Sequence, residues 1–387
     1  MPAICPDFEP KRIGDSARPA LGILVCERTG AEPFAEADFI RRLQAEGDRL
    51  GLDVFAFAPW SADPVSRTVR GWRWNTAVGA WRSRRVPLPV LAYDRAWPSG
   101  AREWARFRSA LYRLTHDVRP LRLLNGRLPN KRAVYDALRR HPDIRAHLPP
   151  TAPYAGPDGL REWLDRHGGA AFLKPAAGSQ GRGVLAVRRL ADAVWELHGR
   201  TRRNVAFRLE LADEAEALRR VDRWIAGRAY LMQPLLALVT PAGEPFDLRL
   251  LLQKNETGRW IVAGAAVRRG RSGTVTANLH GGGTAFPPMP ELTGLLGTSA
   301  ARDVLRETRR LAGAVVRQLE ACFGRFAELG LDFGIDRTGK LWFLEANAKP
   351  GRAATRWAGH RAVALSHVRP LAYARSILLR LSREGHS

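Results

Sequence analysis

Cysteine is nearly missing from this 387-residue sequence: Cys5, Cys26 and Cys322 are the only three, in no Cys-x-x-Cys spacing. An odd, scattered set excludes a disulfide framework and a thiolate zinc site, and fits a reducing compartment. Apolar runs of about 18 residues, the length a membrane helix needs, are also absent. Prolines and acids interrupt the opening MPAICPDFEPKRIGD, so no leader is expected and the protein reads as soluble and cytoplasmic, with no membrane partner. Glycine (36) and proline (26) fall well short of low-complexity composition. Lysine is scarce, with only Lys11, Lys131, Lys174, Lys254, Lys340 and Lys349.

What is there is arginine. Of 62 basic residues all but those six are arginine, and against 38 acids they leave a net charge of +24. Nucleic acid, an anionic surface or an acidic substrate would each match that balance. A coding bias spread over solvated faces would match it as well. Against such a background each lysine in an apolar or glycine-rich setting stands out.

The chain opens as an α/β sheet. Leu21 to Cys26 reads as a strand, Phe39, Ile40, Leu43 and Leu50 fall on one helical stripe, and Leu52 to Pro59 reads as a second strand. No GxGxxG follows the first strand, which argues against a dinucleotide site there. The stretch VRGWRWNTAVGAWRSRRVPLPVLAYDR predicts a hairpin around Asn-Thr-Ala-Val-Gly, then a buried strand at Val90 to Tyr93. Its Trp72, Trp74 and Trp81 alternate with Arg70, Arg73, Arg82, Arg84 and Arg85. That pattern could stack bases and neutralise phosphates, but a half-buried ribbon with packed aromatics and snorkelling guanidiniums explains it more simply. Helices are predicted near Ala101 to Thr115, after an Asn130 cap, at Val304 to Leu319 and at Leu371 to Leu381, with a turn-rich boundary at His147 to Gly159.

Two constellations carry chemistry. In AFLKPAAGSQGRGVLAVRRL a strand runs through Lys174 into Gly178, Ser179, Gln180, Gly181, Arg182 and Gly183 and out into another strand. A Walker loop or Rossmann turn would open a helix instead. Three glycines let backbone N–H groups curl round a phosphate, Ser179 can donate, and Lys174 adds a point charge, so a nucleotide clamp is predicted. In ELGLDFGIDRTGKLWFLEANAKPGR, strand alternation puts Phe343, Glu345 and Asn347 on one face with Trp342 and Leu344 on the other. A four-residue loop would set Asp332 across the ladder from Glu345. Two carboxylates and an amide oxygen then form a hard oxygen site for Mg²⁺.

Together these motifs resemble the ATP-grasp superfamily of carboxylate–amine ligases, closest to the YheC/YheD endospore coat-associated family. There is kinship to the ribosomal-protein glutamate ligase and D-alanine–D-alanine ligase branches. The resemblance runs from about Asn125 to Arg352. It implies an α/β architecture: an α+β ATP-grasp fold preceded by an open α/β domain. In chain order this gives a tail (1–18), the preceding domain (19–125), a lid subdomain with the glycine loop (126–232) and a C-terminal subdomain with the metal site (233–387).

Matched position by position, it implies that Lys131 and Lys174 reach the ATP phosphates under the Gly178 to Gly183 loop. Gln233 replaces the usual hinge glutamate near the adenine amine, with the Pro234 carbonyl and Leu235 N–H on the ring. Asp247 meets the ribose, Arg249 points into the cleft, and Arg268 and Asn278 approach the γ-phosphate. Asp332, Glu345 and Asn347 hold one or two Mg²⁺ ions, or Mn²⁺ in their place. The arginine two positions before the first metal ligand in D-alanine–D-alanine ligase is Gly330 here, which assigns the intermediate to Arg268 or Arg352 and argues against a D-alanine-like substrate. His280 is a candidate proton shuttle.

The implied activity is an ADP-forming ligase joining a small-molecule or peptide carboxylate, anionic or glutamate-like, to an amine through an acyl phosphate. The rival reading is a non-catalytic ATP-binding structural protein associated with the spore coat and its components; a nucleic-acid module is the least favoured.

Overall fold

The computed structural model describes residues 18–30, 32–178, 181–190, 194–277 and 282–384. Short apolar runs with no polar face, such as ALGIL and DVFAF, suit strands covered on both sides, and they form the centre of a parallel sheet. This first sheet contains β1 (Ala20–Leu24), β2 (Asp53–Phe57), β3 (Thr68–Asn75), β4 (Ala80–Pro87), β5 (Leu91–Asp94) and β6 (Arg122–Leu123), in the order β4-β3-β2-β1-β5-β6. Helices α1 (Ala37–Arg49) and α2 (Ala101–Thr115) connect its parallel strands.

The β3–β4 hairpin is the packed ribbon. Trp81 meets Phe34 and Trp74 edge-on at 4.7 and 5.7 Å, the Trp72 indole donates to Glu27, and Arg70 and Arg73 pair with Glu27 and Asp53. Those aromatics are spent on packing, which removes the base-stacking surface.

Helices α3 (Lys131–Leu138) and α4 (Pro142–Arg145) follow, and the Asn130 side chain accepts from the Ala133 N–H at 2.9 Å as the predicted N-cap. The second sheet holds β7 (Ala152–Pro153), β8 (Ala170–Pro175), β9 (Leu185–Arg189), β10 (Trp195–Arg200), β11 (Ala206–Leu211) and β12 (Tyr230–Gln233), ordered β11-β10-β9-β8-β12-β7. Helices α5 (Gly156–Arg166) and α6 (Glu214–Ile225) cover one face.

The third sheet, β15-β14-β13-β16-β17, comprises β13 (Phe246–Lys254), β14 (Trp260–Arg269), β15 (Thr284–Phe286), β16 (Glu328–Ile335) and β17 (Leu341–Asn347). It packs on α7 (Pro288–Leu296) and the long α8 (Thr298–Phe323). The chain ends in α9 (His360–Glu384). No described helix is long and apolar enough to cross a membrane.

Core membership cuts across chain order. Val134, Leu138, Ile144 and Leu148 lie in the core of the third sheet, so α3 and α4 belong with the C-terminal body although they precede the lid strands. Leu371, Tyr373, Ala374, Ile377 and Leu378 of α9 enter the core of the first sheet. A buried polar knot seals the same junction: the fully buried Glu328 carboxylate accepts from Tyr93, from Gln253 Nε2 at 2.9 Å and from Arg352 Nη2 at 2.7 Å. Such a charge persists in the interior only because every side of it is satisfied.

Candidate functional site

Alternation along β13 sorts its side chains. Leu248, Leu250 and Leu252 enter the core against α8, while Asp247 and Arg249 face the other way, into a cavity of about 660 Å³ between the second and third sheets. Across the ladder Asp247 pairs with Arg268 of β14, and Arg249 with Asp332 of β16. Arg268 donates to both Asp247 oxygens at 2.6 Å and reaches Asp332 at 3.1 Å. Arg249 grips both oxygens of Asp332, with Nη2 to Oδ2 at 2.8 Å. Burial alone would raise the Asp332 carboxyl; the two guanidiniums overcome that and hold it below the usual carboxylate value. The guanidinium of Arg249 lies over Gly330, where an added Cβ would meet its Nη1 at 3.1 Å and Pro350 at 2.9 Å.

The register of β16 and β17 does bring Asp332 opposite Glu345, though by another route than a four-residue loop. The turn runs from Asp336 to Lys340, one residue longer, and a β-bulge between Asp332 and Phe333 leaves Leu344 as the extra residue. A bulge resets alternation by one position. The expected sharing of one face by Phe343, Glu345 and Asn347 is therefore corrected. Phe343 packs in the core with its ring 5.8 Å from that of Phe333, while Leu344, Glu345 and Asn347 line the cavity. Trp342 is half-buried, its indole donating to Asp336 at 2.9 Å.

Opposite this row stand the two lysines. Lys131 opens α3 and its Nζ donates to the Gly178 carbonyl at 2.6 Å while lying 3.3 Å from Glu345 Oε1. Lys174, one residue before the end of β8, has its Nζ 3.4 Å from the carbonyl of the bulged Leu344. Burial pushes the Lys174 ammonium down to about 8, with Glu345 opposing the shift and Lys131 adding to it. The loop above them joins β8 to β9 as a strand-to-strand connection, and Gly178, Gly181 and Gly183 take φ values of 133°, 66° and 74°. These are backbone conformations that favour glycine, and at Gly183 a Cβ would also meet the Tyr230 hydroxyl at 3.1 Å. Ser179, Gln180, Asn278 and His280 lie outside the described residues.

Gln233, Pro234 and Leu235 border the same cavity where β12 ends; the Gln233 amide donates to Thr151 Oγ1 at 2.8 Å. Arg352 reaches the cavity edge, but its guanidinium is turned to Glu328 and to Tyr93, at 3.3 Å, and lies over the Phe39 ring at 4.9 Å. The structure makes it a strut between the first and third sheets.

The donors at the bulge fit a hard divalent ion. Asp332, Glu345 and Asn347 bring two carboxylates and an amide to the cavity wall, and Mg²⁺ needs one or two protein carboxylates when phosphates complete its shell. Among the described residues no three His, Cys, Asp or Glu side chains gather into a metal-holding group, so any such ion relies on two carboxylates and the amide. Arg249 and Lys131 occupy those carboxylates as counter-charges.

A second cavity, of about 1480 Å³, opens beyond the lysines toward the first sheet, and Lys131, Lys174, Gly178, Glu345, Asn347 and Lys349 line both. Lys349 and Trp97 are the site residues that motif spacing missed. Lys349 Nζ donates to Asp94 Oδ1 and to the Ala96 carbonyl, both at 2.7 Å, bringing together segments 255 positions apart. Lysine scarcity was the available signal: three of the chain's six lysines line this cleft.

Similarity to known proteins agrees with this geometry. The chain is 26% identical over 326 residues to the endospore coat-associated protein YheC of Bacillus subtilis (strain 168), covering 82% of this chain and 86% of that protein. To YheD of the same organism it is 26% identical over 346 residues, covering 87% and 73%. Among solved structures, D-cycloserine synthetase DcsG superposes with a TM-score of 0.52 at 16% identity, covering 93% of this chain and 99% of that one. D-alanyl-alanine synthetase A from Vibrio cholerae gives 0.52 at 12% identity, covering 94% and 100%. Those two establish the shared fold. The YheC/D-like ATP-grasp profile matches residues 120–377, two thirds of the sequence and all of the second and third sheets, and the chain belongs to that family.

Proposed function

We propose that this protein is an ATP-dependent carboxylate–amine ligase. The observation that carries the reading is the seam where the two cavities meet: Lys131 and Lys174 stand under a glycine loop beside Glu345 and Asn347, with Asp332 next to them on the wall of the smaller cavity. The smaller cavity suits the nucleotide, with its adenine end between Phe172, Gln233 and Leu235 and its phosphates at the lysines. A carboxylate entering from the larger cavity meets the terminal phosphate at that seam. Its oxygen attacks phosphorus, the bond to the ADP oxygen breaks, and the acyl phosphate is then opened by an amine that releases phosphate and a proton.

The chain's own groups position and neutralise. Lys131 and Lys174 draw charge from the phosphates, and Arg268, held between Asp247 and Asp332 on the wall of the smaller cavity, would meet the developing oxyanion. Asp332, Glu345 and Asn347 would hold Mg²⁺, which when bound neutralises phosphate oxygens.

The test is ADP release with panels of amino acids and acidic peptides as acyl donors and amines as acceptors, with oxygen-isotope transfer from carboxylate to released phosphate as the sign of the acyl phosphate. ADP release without isotope transfer refutes the intermediate. The names of the relatives favour a second reading, a nucleotide-binding component of the spore coat; ATP binding with no turnover by any pair selects it.

A further inference from the structure

The larger cavity has an unusual charge balance. Its far end, away from the seam, carries Arg28, Arg108 and Arg127, and the seam adds Lys131, Lys174, Arg182 and Lys349. Against these seven cations, Asp94 and Glu345 are the only two carboxylates that line it among the described residues. Both are already engaged: Asp94 by Lys349 at 2.7 Å and Arg127 at 3.8 Å, Glu345 by Lys131 at 3.3 Å.

Arginines at the sheet junctions are matched to acids, as Arg95 is to Glu36, Arg249 to Asp332 and Arg352 to Glu328. Here Arg28 donates only to the Trp97 carbonyl, at 3.2 Å, and Arg108 and Arg182 have no carboxylate partner among the described residues. The Trp97 indole N–H is buried at the seam without an acceptor. Aromatic surface backs the cations, with Arg127 5.4 Å from the Trp104 ring and Lys349 5.7 Å from that of Trp97.

Size sharpens the inference. Small-molecule pockets run to roughly 300–1,000 Å³, and this cavity of about 1480 Å³ adjoins the one assigned to nucleotide without being needed to hold it. An acyl donor with one carboxylate would occupy the seam and leave the distal arginines bare. From this we infer that the larger cavity takes an extended acidic peptide. Its terminal carboxylate sits at the seam, and further carboxylates along its length are met by Arg108 and Arg28. The side-chain methylenes of an acidic residue suit the faces of Trp97 and Trp104, which a chain of bare phosphates would leave unused. The inference rests on the ligase reading for which end of the peptide points inward, and on the charge census alone for the rest.

The experiment measures equilibrium binding of tetraglutamate and of free glutamate to the full chain, wild type and R28Q/R108Q. The thermal shift given by MgATP is followed in parallel. Both substituted arginines lie outside the nucleotide cavity. Wild type is expected to bind tetraglutamate at least tenfold more tightly than glutamate, with affinity falling as salt rises. The double variant is expected to lose about tenfold for tetraglutamate, the scale of two exposed charge pairs, with the MgATP shift unchanged.

Equal affinity for glutamate and tetraglutamate, or an unaffected double variant, overturns the proposal. So does tighter arginine-dependent binding of an oligonucleotide of the same charge, which would reassign the groove to nucleic acid. Arginine-dependent tetraglutamate binding in a protein that shows no MgATP shift would refute the ligase reading and leave the peptide groove standing.

Discussion

Nucleotide affinity should fall as pH rises through the Lys174 titration. The free protein holds this ammonium at about 8, below its usual 10.5, chiefly because β8 delivers it into a buried site. A phosphate needs the charged form. At pH 7 about nine-tenths of the protein carries the charge and at pH 9 about one-tenth, and apparent affinity scales with the competent fraction. The apparent Kd for MgATP should therefore rise about tenfold between those values. Phosphate oxygens are already ionised across the window, so the nucleotide adds little of its own.

The assay is calorimetric titration of MgATP at fixed ionic strength, alongside K174R, whose guanidinium stays charged throughout. The variant should show a nearly flat profile even if its absolute affinity is lower. Folding stability carries the opposite sign. Between about 8 and 10.5 the unfolded chain holds the proton that the folded chain has shed, so this residue's contribution to stability grows with pH. A flat wild-type profile, or an unchanged slope in K174R, would refute the assignment of Lys174 to the phosphates.

E345A should abolish magnesium-dependent ADP formation while its denaturation midpoint stays near wild type; wild-type-like turnover by the folded variant would remove Glu345 from the site. R352A strips the principal cation from the buried Glu328 and should cost about 3–5 kcal/mol, the penalty of an uncompensated buried charge. Chemical denaturation reads it, and a loss of turnover without loss of stability would return Arg352 to the chemistry. G183A forces a side chain into φ 74° against the Tyr230 hydroxyl and should destabilise by about 1–3 kcal/mol. Nucleotide binding should suffer as well, and an unaltered thermal midpoint and MgATP shift would show that the loop accepts a side chain there. G330A pushes on the Arg249 guanidinium and should weaken its grip on Asp332, read as an upward move of the Asp332 titration by NMR.

Local pattern was enough for much of the architecture. Four- to eight-residue apolar runs gave the parallel strands of the first sheet, the helical stripe gave α1, and Asn130 marked the start of α3, because each signal is complete within a few residues. The glycine loop between β8 and β9 was equally legible, since its three left-handed conformations demand the residue type. The facing of Glu345 was not. Strict alternation sends it to the side of Phe343, and only the bulge at Leu344 sends it to the cleft. The turn residues do not announce that bulge; it arises from fitting Phe343 onto Phe333 in the core while the strand exit stays in register.

The sequence by itself therefore determined the elements, the phosphate loop and the candidate acids, all set by short-range stereochemistry and spacing. Tertiary structure decided which charges are spent and which are left over. Arg352 was claimed by a glutamate on β16 and a tyrosine on β5, and Lys349 by an aspartate at the end of β5, while Arg28 and Arg108 stand beside a large cavity with no acid partner among the described residues. Pairing between segments hundreds of residues apart depends on how whole layers pack, and no local periodicity encodes it.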